Sequence, residues 1–590
     1  MAIHLPVDRK AFNDYEAQSR VNHRKKRENV RRLFTFIGFL AFSSVICCNL
    51  ARIYAVSQNE VLDFSTSEGC KKTAAVSPSF DSSVDTILSD PLYKELSIER
   101  LSGAVQISTE VQDKNPDPLE DPAFYANFVT LHKYLESTFP LVHKKLNLEK
   151  VNKFGLLYTW EGKAPELKPI LFMSHQDVVP VNKNTWDSWK FPPFSGYYEP
   201  ETDLLWGRGS NDCKNLLIAQ LEALEKLLED GFVPDRTILL SVGFDEEASG
   251  IWGAQFLSPY IHERYGDDGI FIILDEGAGA IAIDENVYVA TPVNGEKGYV
   301  DVEVSIAGHG GHSSIPPEHT TIGIAAELIT LLEANPFGSA FSVDNPIYGT
   351  LQCLAEHSTQ LPPKLRKQIM RAPLCKKSRK AVSDFLFSQP MLRDLVRSTQ
   401  AVDIINGGVK ANALPEDTSF LVNHRINLQS SVNETVERDI AYAFQIADKH
   451  HYGLSVNGVV LKEETELGII NLDVVNPLEP APISPNEGPV WDLMAGTIQD
   501  VFDNHVFTKT PELKQEMYVT TGLFSGNTDT KYYWNLTKNI YRFIGSIMSP
   551  DMIHTVHSVN EHIDMEGHLS AIAFVYEFIL NVNEHGAGLP

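Results

Sequence analysis

The sequence predicts an α/β fold: a sheet covered by helices, interrupted by an inserted α+β domain and preceded by one membrane-spanning helix. Three observations carry this. The short apolar runs Pro169-Ile-Leu-Phe-Met173, Thr237-Ile-Leu-Leu240 and Ile270-Phe-Ile-Ile-Leu274 alternate with helical patterns, as strands buried beneath helices do. At Lys297 the texture changes to a strand through Tyr299, Val300, Val302, Val304 and Ile306, followed by the glycine-rich Gly308-His-Gly-Gly-His-Ser313. Near the amino terminus Leu33 to Leu50 is apolar or small except for Thr35, Ser43, Ser44 and Asn49, about the minimum length for a bilayer span.

Arg24, Lys25, Lys26, Arg27, Arg31 and Arg32 precede that apolar stretch, and only Arg52 closely follows it. Positive charge stays cytosolic, so residues 1–32 form a cytosolic tail, 33–52 a signal anchor, and the body of a single-pass type II protein lies in the lumen. A 32-residue polar lead without a clean small-residue cleavage site argues against a cleaved signal peptide. Residues 53–110, rich in Ser, Asp and Glu, read as a stalk wrapped loosely on the body. The sheet domain is then expected over 111–296 and again over 476–590, with the inserted lid domain over 297–475.

Asp121-Pro122 opens a helix whose Phe124, Phe128, Leu131 and Leu135 keep helical spacing until Pro140. Another helix carries Leu217, Leu221, Leu224 and Leu228 on one face. In the inserted domain helices are expected around Ile322–Leu332 and Val436–His450, a strand over Phe420–Ile426, and a Lys/Arg-rich helical excursion from Cys353 to Arg397. The sheet domain resumes with a helix over Val490–Val501.

With 590 residues, 43% hydrophobic and 10% aromatic, the chain has material for two or three globular domains. Its formal charge of -27 excludes nucleic acid as a natural partner, because phosphate binding needs basic surface. The six cysteines contain no C-x-x-C pair. Cys353 and Cys375 are candidates to pair in an oxidising lumen, although Cys70, Cys213, Cys353 and Cys375 allow three connectivities, and Cys213 reads as a buried thiol. Asn433-Glu-Thr and Asn535-Leu-Thr are glycosylation sequons.

The chemistry gathers at strand ends. His175 and Asp177 follow one apolar strand, Glu246 and Glu247 a second, and Asp275 a third. In α/β sheets functional groups collect beyond the carboxyl ends of the strands. Asp212, in Gly207-Arg-Gly-Ser-Asn-Asp212, and His557 complete the set. Two imidazoles and three carboxylates suit two divalent ions sharing a bridging carboxylate, and mixed N/O ligation favours zinc. Such a pair, about 3.5–4 Å apart, can share a hydroxide and polarise a carbonyl. Adjacent Glu246 and Glu247 point apart, so one can hold a metal while the other moves protons. Asp177 is placed to orient the His175 ring.

The segments His175-Gln-Asp177, Gly207-Arg-Gly-Ser-Asn-Asp212, Asp245-Glu-Glu247, Asp275-Glu-Gly277, Gly308-His-Gly-Gly-His312 and His557-Ser-Val-Asn-Glu561 resemble those of the M20 metallopeptidases, over residues 120 to 580. The resemblance implies a dizinc exopeptidase-type fold with two zinc ions per subunit. His175 and Asp275 would hold one, Glu247 and His557 the other, and Asp212 would bridge them. Glu246 becomes the general base. His312 is implied to bind the oxyanion, across a dimer or after closure, and Asn412 and Arg425 to grip the substrate's terminal carboxylate. Two departures from the family pattern are Cys213 after the bridging aspartate and Asn423 two residues before Arg425. A cis peptide is expected after Asp212. The function implied is a zinc carboxypeptidase acting on short peptides, vacuolar in location, with hydrolysis of N-acyl amino acids as the alternative. A non-catalytic ectodomain is disfavoured because every ligand position is filled, and Ser525 lacks a nucleophile-elbow pattern. The oligomeric state is left open.

Overall fold

The structure, a computed structural model, describes residues 69–80 and 82–589. The anchor expected over 33–52 and the cytosolic tail therefore lie outside the described residues. Among those described, no helix is long and apolar enough to cross a membrane.

A ten-stranded mixed sheet organises the larger part. Its centre is parallel: Ile170–His175 lies between Ile238–Gly243 and Ile272–Asp284, and Ile540–Ile547 runs parallel on the far side of Ile272–Asp284. Gly155–Trp160 and Asn147–Val151 extend one edge in antiparallel sense. The central strands are buried along their length, which is why they read as unbroken apolar runs. The third strand is longer than its apolar run: it continues through Asp275 and Glu276 to Asp284. The helix Lys214–Glu229 packs against the carboxy-terminal helix Met565–His585, both almost wholly buried.

The expected helix beginning at Asp121-Pro122 starts later, as Ala126–Thr138, with Phe128, Leu131 and Leu135 buried and Phe124 exposed. Pro140 opens the next short helix, Pro140–Lys145, instead of only closing the first, since proline suits a first helical turn.

A six-stranded sheet forms the second unit, in the order Thr399–Gly407, Asp417–Ile426, Gly298–Gly308, Gly468–Leu478, Gly453–Val456, Val459–Lys462. The helices Thr321–Ala334 and Val432–His450 cover it and close a separate core around Val302, Val304, Leu328, Phe420 and Ile446.

Two segments pack differently from their sequence reading. In the stretch read as a loose stalk, Val84–Ser89 and Pro91–Val105 are helices whose Val84, Ile87, Leu88, Leu101, Ala104 and Val105 enter the main core. The excursion after Cys353 also joins that core, through Leu351, Cys353, Ile369, Val382 and Leu386, and not the core of the second sheet. The two are stapled together by a disulfide between Cys70 and Cys353, whereas Cys375 and the buried Cys213 are free thiols.

Candidate active site

The cluster forms at the carboxyl edge of the parallel strands. His175 is the last residue of its strand, and Glu246 and Glu247 stand in a 3-10 turn, Glu246–Ala248, just past Gly243. That turn is tied down by Asp245, whose two carboxylate oxygens accept from the amides of Trp252 and Gly253, each at 2.7 Å. The strand before it passes close to the buried Asp529: a Cβ on Gly243 would lie 2.6 Å from Asp529 Oδ2.

Asp212 stands between two imidazoles. Its Oδ1 lies 3.2 Å from His175 Nε2, its Oδ2 3.0 Å from His557 Nε2, and His557 Nε2 is also 3.0 Å from Glu247 Oε1. The peptide Asp212–Cys213 is cis, as expected. His557 has a left-handed backbone, φ 56°, and Asn560 another, φ 64°. Non-glycine residues in that region are held there by their surroundings; here Asn560 Oδ1 accepts from the Lys190 amide at 2.6 Å.

Asp177 is buried and links two members of the cluster. His175 Nδ1 lies 3.0 Å from its carbonyl oxygen and 3.3 Å from its Oδ1, while its Oδ2 accepts from the Glu247 amide at 3.0 Å. Asp177 thus sets the ring of His175 through its carbonyl oxygen and the backbone of Glu247 through its carboxylate.

At the third strand a further acid, which the sequence reading did not assign, reaches the cluster. Glu276, not Asp275, faces His175, with Oε2 3.4 Å from Nε2. Because the strand continues past the site, successive side chains leave on opposite faces, and Asp275 lies opposite Arg542 of the neighbouring strand. Asp275 is buried nonetheless, and its Oδ2 has no hydrogen-bond partner. The divergence of adjacent acids that separates Glu246 from Glu247 applies equally to Asp275-Glu276, so the sequence held the signal for Glu276.

Glu561 is a second residue whose role sequence reasoning missed. Fully buried, it accepts from the amides of Gly209 at 2.9 Å, Asn211 at 3.0 Å and Asp212 at 3.1 Å through one oxygen, and pairs with Arg208 through the other. It shapes the turn that presents Asp212.

Burial opposes ionisation of Asp212, but hydrogen bonds and charge from His175 and His557 outweigh it and hold the carboxyl well below the usual carboxylate range. His557 is pushed up to about 11: burial acts against this, and Asp212 and Glu247 overcome it. Burial raises Glu276 to about 8 and Asp275 to about 6, and burial with the nearby Glu276 raises Glu246 well above its ordinary value. The crowding of Asp212, Glu246, Glu247, Asp275 and Glu276 around two imidazoles, with an unpartnered buried oxygen on Asp275, is a donor set that fits divalent cations.

The other expected site residues lie on the second unit. His312 and Asn412 are exposed neighbours, since Gly311–His312 pairs with Ala413–Leu414. Ser314 donates to His312 Nδ1 through its hydroxyl at 2.7 Å, and neither His312 nor Asn412 shows a bond to the cluster. Arg425 sits where the two units meet: its Nη1 donates to Asn527 Oδ1 at 3.0 Å, and Asn527 in turn donates to the Lys297 carbonyl at 2.6 Å. The guanidinium lies 4.7 Å from the Tyr299 ring centroid. Asn423, the departure noted in the sequence, donates to Asp301 at 2.9 Å.

Behind the cluster, Gln176 donates to the carbonyls of Phe154 at 2.9 Å and Gly243 at 3.0 Å, and its Oε1 accepts from His132 Nε2 at 2.7 Å. Lys150 donates to His132 Nδ1 at 3.1 Å, so the ring is held neutral, and burial lowers it to about 4. The unfolded chain then binds a proton that the folded chain refuses between about pH 6.5 and 4. Stability from this group is present above pH 6.5 and falls by about 2–3 kcal/mol as pH drops to 4. Denaturant unfolding of wild type and His132→Asn across that range should show a shallower acid loss in the variant; parallel curves would refute it.

This fold and donor set define a hydrolase of the metallopeptidase type. The chain belongs to peptidase family M20/M25/M40, whose sequence profile matches residues 171–581. Carboxypeptidase S of Saccharomyces cerevisiae is 64% identical over 517 residues, covering 88% of this chain and 89% of that protein. A mouse N-fatty-acyl-amino acid synthase/hydrolase is 31% identical over 504 residues, 83% of this chain and 89% of that one. Among solved structures, human carnosine dipeptidase 1 matches with a TM-score of 0.57 at 13% identity, over 86% of this chain and 100% of the other. An M20 family metallo-carboxypeptidase from Sulfolobus solfataricus matches at 0.54 and 17% identity, over 82% and 99%. At these identities the likeness is one of fold.

Proposed function

We propose that the protein is a dizinc carboxypeptidase that removes the last residue of short peptides. The observation that carries this is the Asp212 carboxylate shared between His175 and His557, one oxygen toward each imidazole. Asp212 would bridge, Glu247 and His557 would hold one ion, and His175 the other, with Glu276 or Asp275 as its carboxylate. The ions, when bound, supply Lewis acidity toward a carbonyl oxygen and lower the pKa of water. Glu246, kept poised to accept a proton by burial, takes one from the attacking water and returns it to the departing amine. Asp177 fixes the tautomer of His175.

Arg425 is the proposed grip for the terminal carboxylate. It is largely desolvated, and among the described residues no carboxylate forms an ion pair with it, which leaves the planar fork available to a substrate acid. His312 and Asn412 are proposed to complete the site on closure or across a dimer, since both are exposed on the second unit. Similarity to the N-fatty-acyl-amino acid enzyme supports N-acyl amino acid hydrolysis as the second reading, because the same metals and carboxylate grip serve it.

A lumenal body behind an amino-terminal anchor is proposed from the charge placement of residues 24–52, and a vacuolar location from the family resemblance of the sequence. The Cys70–Cys353 disulfide supports an oxidising compartment. Asn433 and Asn535 are exposed, as glycosylation would require.

Chelation of the purified protein should abolish peptide hydrolysis, and Zn2+ should restore it; full activity after exhaustive metal removal would sink the metallopeptidase reading. Comparing kcat/KM on a dipeptide series with that on N-acyl amino acids separates the two substrate classes, and a preference for the latter would reverse the assignment.

A further inference from the structure

A second group of metal-capable side chains lies apart from the active site and shares no residue with it: Asp500, His505 and Glu577, whose donor atoms lie within 4.8 Å of one another. Asp500 ends the helix Pro489–Asp500, and His505 belongs to the π-helical segment Val501–Val506 that follows. Glu577 projects from the carboxy-terminal helix Met565–His585. His505 Nε2 lies 3.8 Å from Asp500 Oδ2 and 3.9 Å from Glu577 Oε2.

The buried acid is the informative one. Glu577 is completely buried, yet neither of its carboxylate oxygens has a hydrogen-bond partner. Such a group costs several kcal/mol unless something neutralises it. Asp500, 1% exposed, stands beside it, and burial together with the charge of Asp500 pushes Glu577 up to about 9, so the two acids hold a proton between them that a divalent cation would displace. One oxygen of Asp500 accepts from Asn504 Nδ2 at 2.5 Å, which leaves the other directed at His505.

The imidazole is pre-set for the same task. His505 Nδ1 lies 2.7 Å from Asp85 Oδ1, on the helix Val84–Ser89. A proton on Nδ1, donated to Asp85, turns the lone pair of Nε2 toward Asp500 and Glu577. This is the carboxylate–histidine–metal arrangement that fixes a ligating ring. Tetrahedral bonds of about 2.0–2.2 Å put ligand atoms about 3.3–3.6 Å apart, so His505 needs to approach each acid by only a few tenths of an ångström.

We propose that Asp500, His505 and Glu577 bind a divalent cation of the zinc or manganese class. The cation would clip the segment carrying Asp85 to the body through His505, adding to the bond from the Ser83 amide to the Tyr576 hydroxyl, the backbone bond from Val76 to Gly496, side-chain packing and the Cys70–Cys353 bridge. The site opens to solvent past Asp85 and the partly exposed His505, which gives the ion a route in. One nitrogen and two carboxylates favour these metals over calcium, which prefers an all-oxygen shell.

The test is metal content per chain, measured on the purified protein loaded with Zn2+ and desalted. Wild type should carry one zinc equivalent more than His505→Gln and one more than Glu577→Gln, while both variants keep peptide hydrolysis. His505→Gln alters a partly exposed side chain, so it serves where Glu577→Gln lowers the yield of folded protein. Zinc should also raise the Tm of wild type further than that of His505→Gln. Equal zinc content in wild type and both variants, in active preparations, overturns the proposal. Loss of the active-site metals would instead show as lost turnover with the difference between wild type and His505→Gln retained.

Discussion

A Glu246→Gln protein is expected to fold, to hold the same metal content as wild type, and to lose turnover by about 10²–10⁴-fold in kcat with KM little changed. The amide has the same shape but cannot take up a proton. The 3-10 turn past Gly243 sends Glu247 toward His557 and leaves Glu246 buried near Glu276 and His175, which suits it to the proposed duty. Metal content and kcat are the two measurements needed. Normal turnover would remove Glu246 from the mechanism, and lost metal would make it a ligand instead.

A comparably large effect is expected at a residue that touches no substrate. Glu561→Gln removes the charge that holds Arg208 and weakens the acceptor of three successive turn amides. Leaving the buried Arg208 without its acid should cost about 3–5 kcal/mol of stability. Release of the Gly207–Asp212 turn should also misplace Asp212, so metal affinity should fall before the protein unfolds. Thermal unfolding with zinc titration would show both losses. A variant with wild-type Tm and zinc affinity would mean that the cis Asp212–Cys213 turn is held by its own packing.

How far the sequence reached differs from residue to residue. The central strands were legible because burial on both faces makes them unbroken apolar runs; His175, Asp212 and Glu247 stood out as candidates because strand ends and glycine-rich turns mark where a sheet presents its polar groups, and His557 through the family resemblance of its segment. The third strand runs further than its composition shows: its apolar run stops at Leu274, whereas its hydrogen bonds continue to Asp284. An apolar run records burial, not strand length. With the strand extended, Glu276 faces His175 and Asp275 lies toward Arg542. The helices of residues 84–105 were hidden by their polar composition, since only one narrow face of each is covered. Glu561 was hidden as well, because its partners sit some 350 positions away and no local pattern announces them.

By itself the sequence determined the strand and helix alternation, the change of texture at Lys297, the charge asymmetry around residues 33–50 and the residue types able to hold metal and move a proton. These follow from local periodicity and side-chain chemistry, which a chain carries whether folded or not. Only the tertiary structure decided which acid meets which imidazole, that Cys70 pairs with Cys353, that the excursion after Cys353 joins the main core, and that Glu577 is buried beside Asp500 and His505. Those are contacts between distant segments, set by strand extent, register and packing, and no stretch of sequence contains both partners.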